Sequence, residues 1–196
     1  MYLVTSRDGV HVDDGWIYAH RPLLNKGKRQ RDWDSGMLLP APQIMTDNHS
    51  HRVYFEARRT NHERRFQKPA KIGVATWARD RLVGLRQAQR SPARGGGEVR
   101  GVVETKPLML ATGVTALVLD VEHYEGLSVE VIDDAGKTLD GFSADTCRPV
   151  HLVHGQVEVH WSGKFSIADV AARATPVRLR FLLSGGRVKL YSFALR

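Results

Sequence analysis

The sequence predicts an all-β chain in two parts, and three observations carry that expectation. Apolar residues come in short runs rich in Val, Ile, Leu and aromatics, several of them alternating with polar residues as half-buried strands do. Close turn signals built on Gly, Asp, Asn and Pro separate these runs. The stretch Arg90 to Gly97, a proline followed by three glycines, can hold no regular element and divides the chain. The expected parts are residues 1–90, a connection at 91–97, and residues 98–196.

In the first part, Tyr2 to Ser6 is an apolar run stopped by Arg7-Asp8-Gly9, and Trp16 to Ala19 is a second. Met37 to Met45 and Val53 to Arg58 follow, divided by the turn residues Thr46 to Ser50. Lys71 to Trp77 and Leu82 to Leu85 flank a turn at Ala78-Arg79-Asp80. Short strands with close turns are the pattern of propeller blades and sandwiches. In the second part, Val99 to Thr105, Ala116 to Val121, Leu127 to Ile132, Val157 to Trp161, Val177 to Phe181 and Val188 to Leu195 read as strands. Turns are expected at Asp133 to Gly136 and at Ser184-Gly185-Gly186. Ser166 to Arg173 is the one helix-like piece, with Ser166 near its start. That count and spacing predict an antiparallel β-sandwich for residues 98–196.

Composition narrows the function classes. The chain has 196 residues, 42% of them hydrophobic, enough to bury a core. No run of about 18 apolar residues is present, so no membrane partner is expected. The start, MYLVTSRDG, lacks a basic segment followed by an apolar one, so it does not read as a signal peptide. The lone Cys147 excludes an internal disulfide. Residues 1–95 hold 18 Lys/Arg against 9 Asp/Glu, and residues 96–196 hold 11 against 12. A basic half raises nucleic acid as a partner. The arginines are scattered over loops and strand ends, however, and no recognition motif accompanies them, so nucleic acid is not expected.

The chemistry concentrates between Trp33 and Arg65. Asp34, Glu56, His62 and Glu63 lie there among Arg58, Arg59, Arg64 and Arg65, beside Trp33, Tyr54 and Phe55. Carboxylates among arginines and aromatics are the materials of a sugar- or anion-handling cleft. Alternation in HRVYFEARR puts Glu56 and Arg58 on one strand face, Phe55 and Ala57 on the other. Glycoside hydrolysis needs two carboxyl groups flanking the bond, and Asp34 and Glu56 are the best pair for that work. Trp33, Arg58 and His62 are the expected substrate-binding residues. The competing readings are a charged strand edge for Glu56 and Arg58, a turn residue capping Gly36 for Asp34, and a surface-loop histidine for His62. His151, His154 and His160 lack metal-site spacing, so no metal and no cofactor is expected. Trp161 and Tyr191 read as core residues of the second part.

TSRDGVH (Thr5–His11), WDSGMLLPAPQI (Trp33–Ile44), HRVYFEAR (His51–Arg58) and KIGVATWARDRLVGL (Lys71–Leu85) resemble the later blades of five-bladed β-propeller glycoside hydrolases, families 32, 43 and 130 and their relatives. GFSADTCRPV, PVRLRF and LYSF, in the second part, resemble the sandwich that follows such propellers in many bacterial proteins. The resemblance implies a partial β-propeller of about two blades over residues 1–90 and a trailing sandwich. A five-bladed propeller takes roughly 250–300 residues, so the chain reads as the C-terminal portion of a longer, truncated glycoside-hydrolase-like protein. Full-length relatives of that kind are exported. The implied function is to bind or hydrolyse carbohydrate, with missing N-terminal blades or an oligomeric partner completing the enzyme. The alternative is a non-catalytic β-sandwich module that binds or braces a partner.

Overall fold

Alternating apolar and polar residues become antiparallel strand pairs throughout this computed structural model, which describes residues 1–29, 31–61, 69–87, 100–152, 155–163 and 165–196. They fall into two compact units, Met1–Val83 and Gly84–Arg196. The expected connection at 91–97 lies outside the described residues. No described helix is long and apolar enough to cross a membrane.

In the first unit, β1 (Thr5–Ser6) and β2 (Val12–Asp13) form a small hairpin. The Asp8 carboxylate closes its turn by accepting the N–H groups of Val10 at 2.9 Å and His11 at 2.8 Å. Trp16 to Ala19, expected as a strand, is instead most of a single helical turn, α1 (Gly15–Tyr18). Four residues are too few for helical periodicity to show in the sequence. The expected strand from Met37 to Met45 breaks into β3 (Met37–Pro40) and β4 (Met45–Thr46). Pro42, between them, has no N–H to give to a ladder. Both pair with one edge of β5 (Ser50–Arg58), while β6 (Lys71–Ala78) pairs with the other edge. Leu82 to Leu85 is not a strand; only Leu85 bridges, to Leu190 within the second unit.

The all-β class therefore holds, with several antiparallel sheets and few short helices. Among the described residues no propeller is found: β3 to β6 make one meander with a broken first strand.

The second unit builds two sheets. One has the order β10 (Cys147–His151), β11 (Gln156–Trp161), β8 (Leu117–Glu122), β13 (Lys189–Leu195). The other has the order β7 (Gly101–Glu104), β12 (Arg178–Leu183), β9 (Leu127–Ile132). The sequence pattern does not announce β10, which contains Pro149; as an edge strand it tolerates a residue that cannot donate. One face of each sheet is apolar: Leu117, Leu119, Val121, Val157, Val159 and Trp161 on one, and Leu127, Val129, Val131, Leu179, Phe181 and Leu183 on the other. These residues share a single core with Phe142, Ile167 and Val170. The last two come from α2 (Ile167–Ala171), whose start is fixed where Ser166 donates its N–H to the Asp169 carboxylate at 2.7 Å.

Two hydrogen bonds cross between the sheets. The Trp161 indole donates to the Val129 carbonyl at 3.0 Å, and the Val129 N–H donates to Cys147 Sγ at 3.2 Å. Trp161 is thus the core residue its sequence context predicts. Tyr191 is not: it sits where the β13 register shifts, half-buried, interacting with Glu122 and Lys189. The bulge turns its ring out of the alternation. Burial raises the Cys147 thiol pKa, so the cysteine packs as an apolar residue and not as a nucleophile. On the outer face of the second sheet, Arg180 reaches Glu104 on β7 at 2.7 Å and Glu130 on β9 at 3.1 Å. Both glutamates stand opposite it in register, and their hydrogen bonds hold the guanidinium pKa up.

Candidate functional site

The candidate residues lie in the first unit, on and beside β5. Val53, Phe55 and Ala57 point to one face and are buried, while Tyr54, Glu56 and Arg58 point to the other. Register carries the same division across the sheet. Glu56 stands opposite Leu39 on β3 and Ile72 on β6; Tyr54 stands opposite Val74, and Arg58 opposite Met37. Phe55 stands opposite Gly73, and Ala57 opposite Lys71.

Glu56 and Arg58 form an ion pair between the Arg58 Nε and a Glu56 carboxylate oxygen. Around them the same face leaves apolar side chains in water: Leu39, Tyr54 and Val74 are about half exposed and Ile72 is 82% exposed. Leu39, Pro40, Tyr54, Glu56, Ala70 and Ile72 line an open groove of about 600 Å³. Strands β3 to β6 carry Glu56 as their one carboxylate.

Trp33 belongs to the opposite face. Its ring stacks on Phe55, with centroids 5.9 Å apart and planes 16° from parallel. Gly73 makes this possible, since a Cβ there would lie 2.5 Å from the Phe55 ring and 2.8 Å from Trp33. Trp33, Arg59, Pro69 and Lys71 line a smaller cleft of about 150 Å³ on this side.

Asp34 follows Trp33 in a tight loop. Asp32 accepts the Arg29 N–H at 2.9 Å, and Lys26 Nζ donates to the Gly36 carbonyl at 3.1 Å. Gly27 fits against both acids; a Cβ on it would lie 2.3 Å from Asp34 Oδ1. The Gly36 N–H donates to the Arg58 carbonyl at 2.9 Å, which anchors the loop to the end of β5. Asp34 is therefore not the cap of Gly36, because the backbone of Arg58 already takes that donor. Asp34 lines neither the groove nor the cleft.

Of the predicted site residues, the structure joins Glu56 with Arg58, sets Trp33 on the other side of the sheet, and places Asp34 in the loop against Gly27. His62 lies outside the described residues. Leu39 and Ile72 at the groove and Pro69 and Lys71 at the cleft belong to no motif that marks them in the sequence. Alternation in KIGVATWA carried the signal for two of them, placing Ile72 with Glu56 and Lys71 with Ala57 once the register is known. Among the described residues no group of three or more His, Cys, Asp or Glu is placed to hold a metal. Comparisons with protein-family models, with curated proteins and with solved structures find no match to this chain.

Proposed function

We propose that this chain binds carbohydrate on the Tyr54–Glu56–Arg58 face of the β3–β6 sheet. The observation that supports the reading is one charged pair set in an exposed apolar and aromatic surface. Soluble proteins rarely leave such a surface uncovered without a use for it. A sugar ring has the matching chemistry, with C–H faces that pack on Tyr54, Leu39 and Ile72. Its hydroxyls can donate to Glu56 and accept from Arg58. The sequence resemblance to propeller glycoside hydrolases points the same way. In that reading the first part of the chain is a partial propeller of about two blades and the second unit is its trailing sandwich.

Binding is favoured over hydrolysis because cleavage needs two carboxyl groups about 5–10 Å apart across one bond, and Glu56 is already paired with Arg58. The second reading is a non-catalytic structural module, favoured by the large separate core of the second unit. Affinity electrophoresis of the full chain through gels containing neutral polysaccharides tests both. Retarded migration without release of reducing ends, weakened about tenfold by Tyr54→Ala, is the expected result. Unretarded migration through every polysaccharide would leave the structural module.

A further inference from the structure

We propose that the cleft between Trp33 and the Arg59–Lys71 pair is a subsite for the carboxylate-bearing ring of an acidic saccharide. The inference rests on the carbohydrate reading and adds to it a preference for anionic sugars, at a place distinct from the Glu56 groove.

The cleft has a fixed aromatic wall. Trp33 is held by its stack on Phe55 and by the backbone of Gly73, so its position costs a ligand little ordering. Pro69 supplies a second rigid apolar wall. Two cations complete the lining. Lys71 opens β6 opposite Ala57, and Arg59 directly follows β5. Among the described residues neither has an ion-pair partner. Their neighbours differ: Arg58 pairs with Glu56, Arg52 with Asp47 at 2.8 Å, and Arg79 with Asp80 at 3.6 Å. Two positive charges that line one hollow with no counter-ion among the described residues repel each other and attract an anion.

The shape selects among anions. A guanidinium presents a planar fork that matches a carboxylate, and an ammonium adds a point charge beside it. Trp33 and Pro69 offer nothing to a bare inorganic ion, but they pack against the C–H face of a ring. At about 150 Å³ the cleft suits one ring and not an extended chain. A hexuronate meets all of these conditions.

The test uses the full chain and four probes, D-glucuronate, D-glucose, acetate and inorganic phosphate, followed by the NMR shift of the Trp33 indole N–H. Glucuronate is expected to bind at least about tenfold more tightly than glucose. Arg59→Gln and Lys71→Gln should each remove about tenfold of that affinity, while Lys71→Arg retains it. Added salt should weaken glucuronate and leave glucose unaffected. Both residues are exposed, and an unchanged melting curve confirms that the variants fold. Equal response to the two sugars, with Tyr54-dependent retardation by neutral polysaccharide intact, overturns the subsite and leaves the carbohydrate reading standing. If acetate or inorganic phosphate reproduces the Arg59- and Lys71-dependent shift and neither sugar adds affinity, the saccharide assignment is overturned. Absence of any response to all four probes overturns the subsite outright.

Discussion

The two units use the same raw material, antiparallel strands of alternating residues, and spend their apolar faces differently. In the second unit each sheet has one apolar face, and the two faces meet in one core. Among the described residues, 24 of the buried hydrophobic side chains belong to that unit and three, Val53, Phe55 and Ala57, to the first. In the first unit a single meander is apolar on both sides. One side is covered by Trp33, and the other leaves Leu39, Tyr54, Ile72 and Val74 in water. Stability follows buried apolar area, at roughly 25 cal/mol per Å². The second unit is therefore the stable part, and the first keeps the exposed apolar face that we propose serves recognition.

The largest effect should come from separating the units. A fragment spanning Gly84 to Arg196 is expected to melt cooperatively on its own, because its core is closed. Residues 1–83 alone should show no cooperative transition, since the three buried hydrophobic side chains among their described residues cannot offset the ordering of the chain. Calorimetry of the two fragments checks this, and a cooperative melt of residues 1–83 as a monomer would break the contrast. Next in size, Phe181→Ala should cost the second unit about 3–5 kcal/mol in denaturant unfolding. Phe181 is 1% exposed and packs 5.6 Å from Phe193.

A smaller, local effect belongs to the turn between β4 and β5. The Asp47 carboxylate accepts the N–H groups of His49 and Ser50, both at 2.7 Å. Those two bonds, then the Ser50 hydroxyl and the charge of Arg52, hold its pKa below the ordinary value. A folded-state pKa below the unfolded one stabilises the turn at pH values above the unfolded pKa, about 3.9. That support is lost as pH falls through the folded value. The protection factors of the His49 and Ser50 amides, measured against their intrinsic exchange rates, should therefore fall on acidification below about pH 4, and Asp47→Asn should remove that pH dependence of protection.

These contrasts also explain how much could be read from sequence. The second unit was legible because each of its sheets buries one face. LSVEVI and RLRFLL alternate cleanly and became β9 and β12 in place. The first unit was less so. GWIY forms one helical turn too short to show a period, and Pro42 broke a run that otherwise read as one strand. At the candidate site, alternation alone assigned Glu56 and Arg58 to one face and Phe55 to the other. What it could not give was register. Ile72 beside Glu56 and Gly73 beneath Trp33 depend on how β6 aligns with β5, a long-range choice fixed by packing and not by local pattern.

We propose that the open face of the first unit serves recognition and not packing. That role is tested most directly in the full chain by replacing Ile72 and Val74 together with serine, then measuring melting and polysaccharide affinity on the same sample. Both side chains are more than half exposed, so stability should stay within about 0.5 kcal/mol, while affinity should fall about tenfold or more. A variant that melts much earlier yet binds as before would contradict the account, because that face would then be a packing surface.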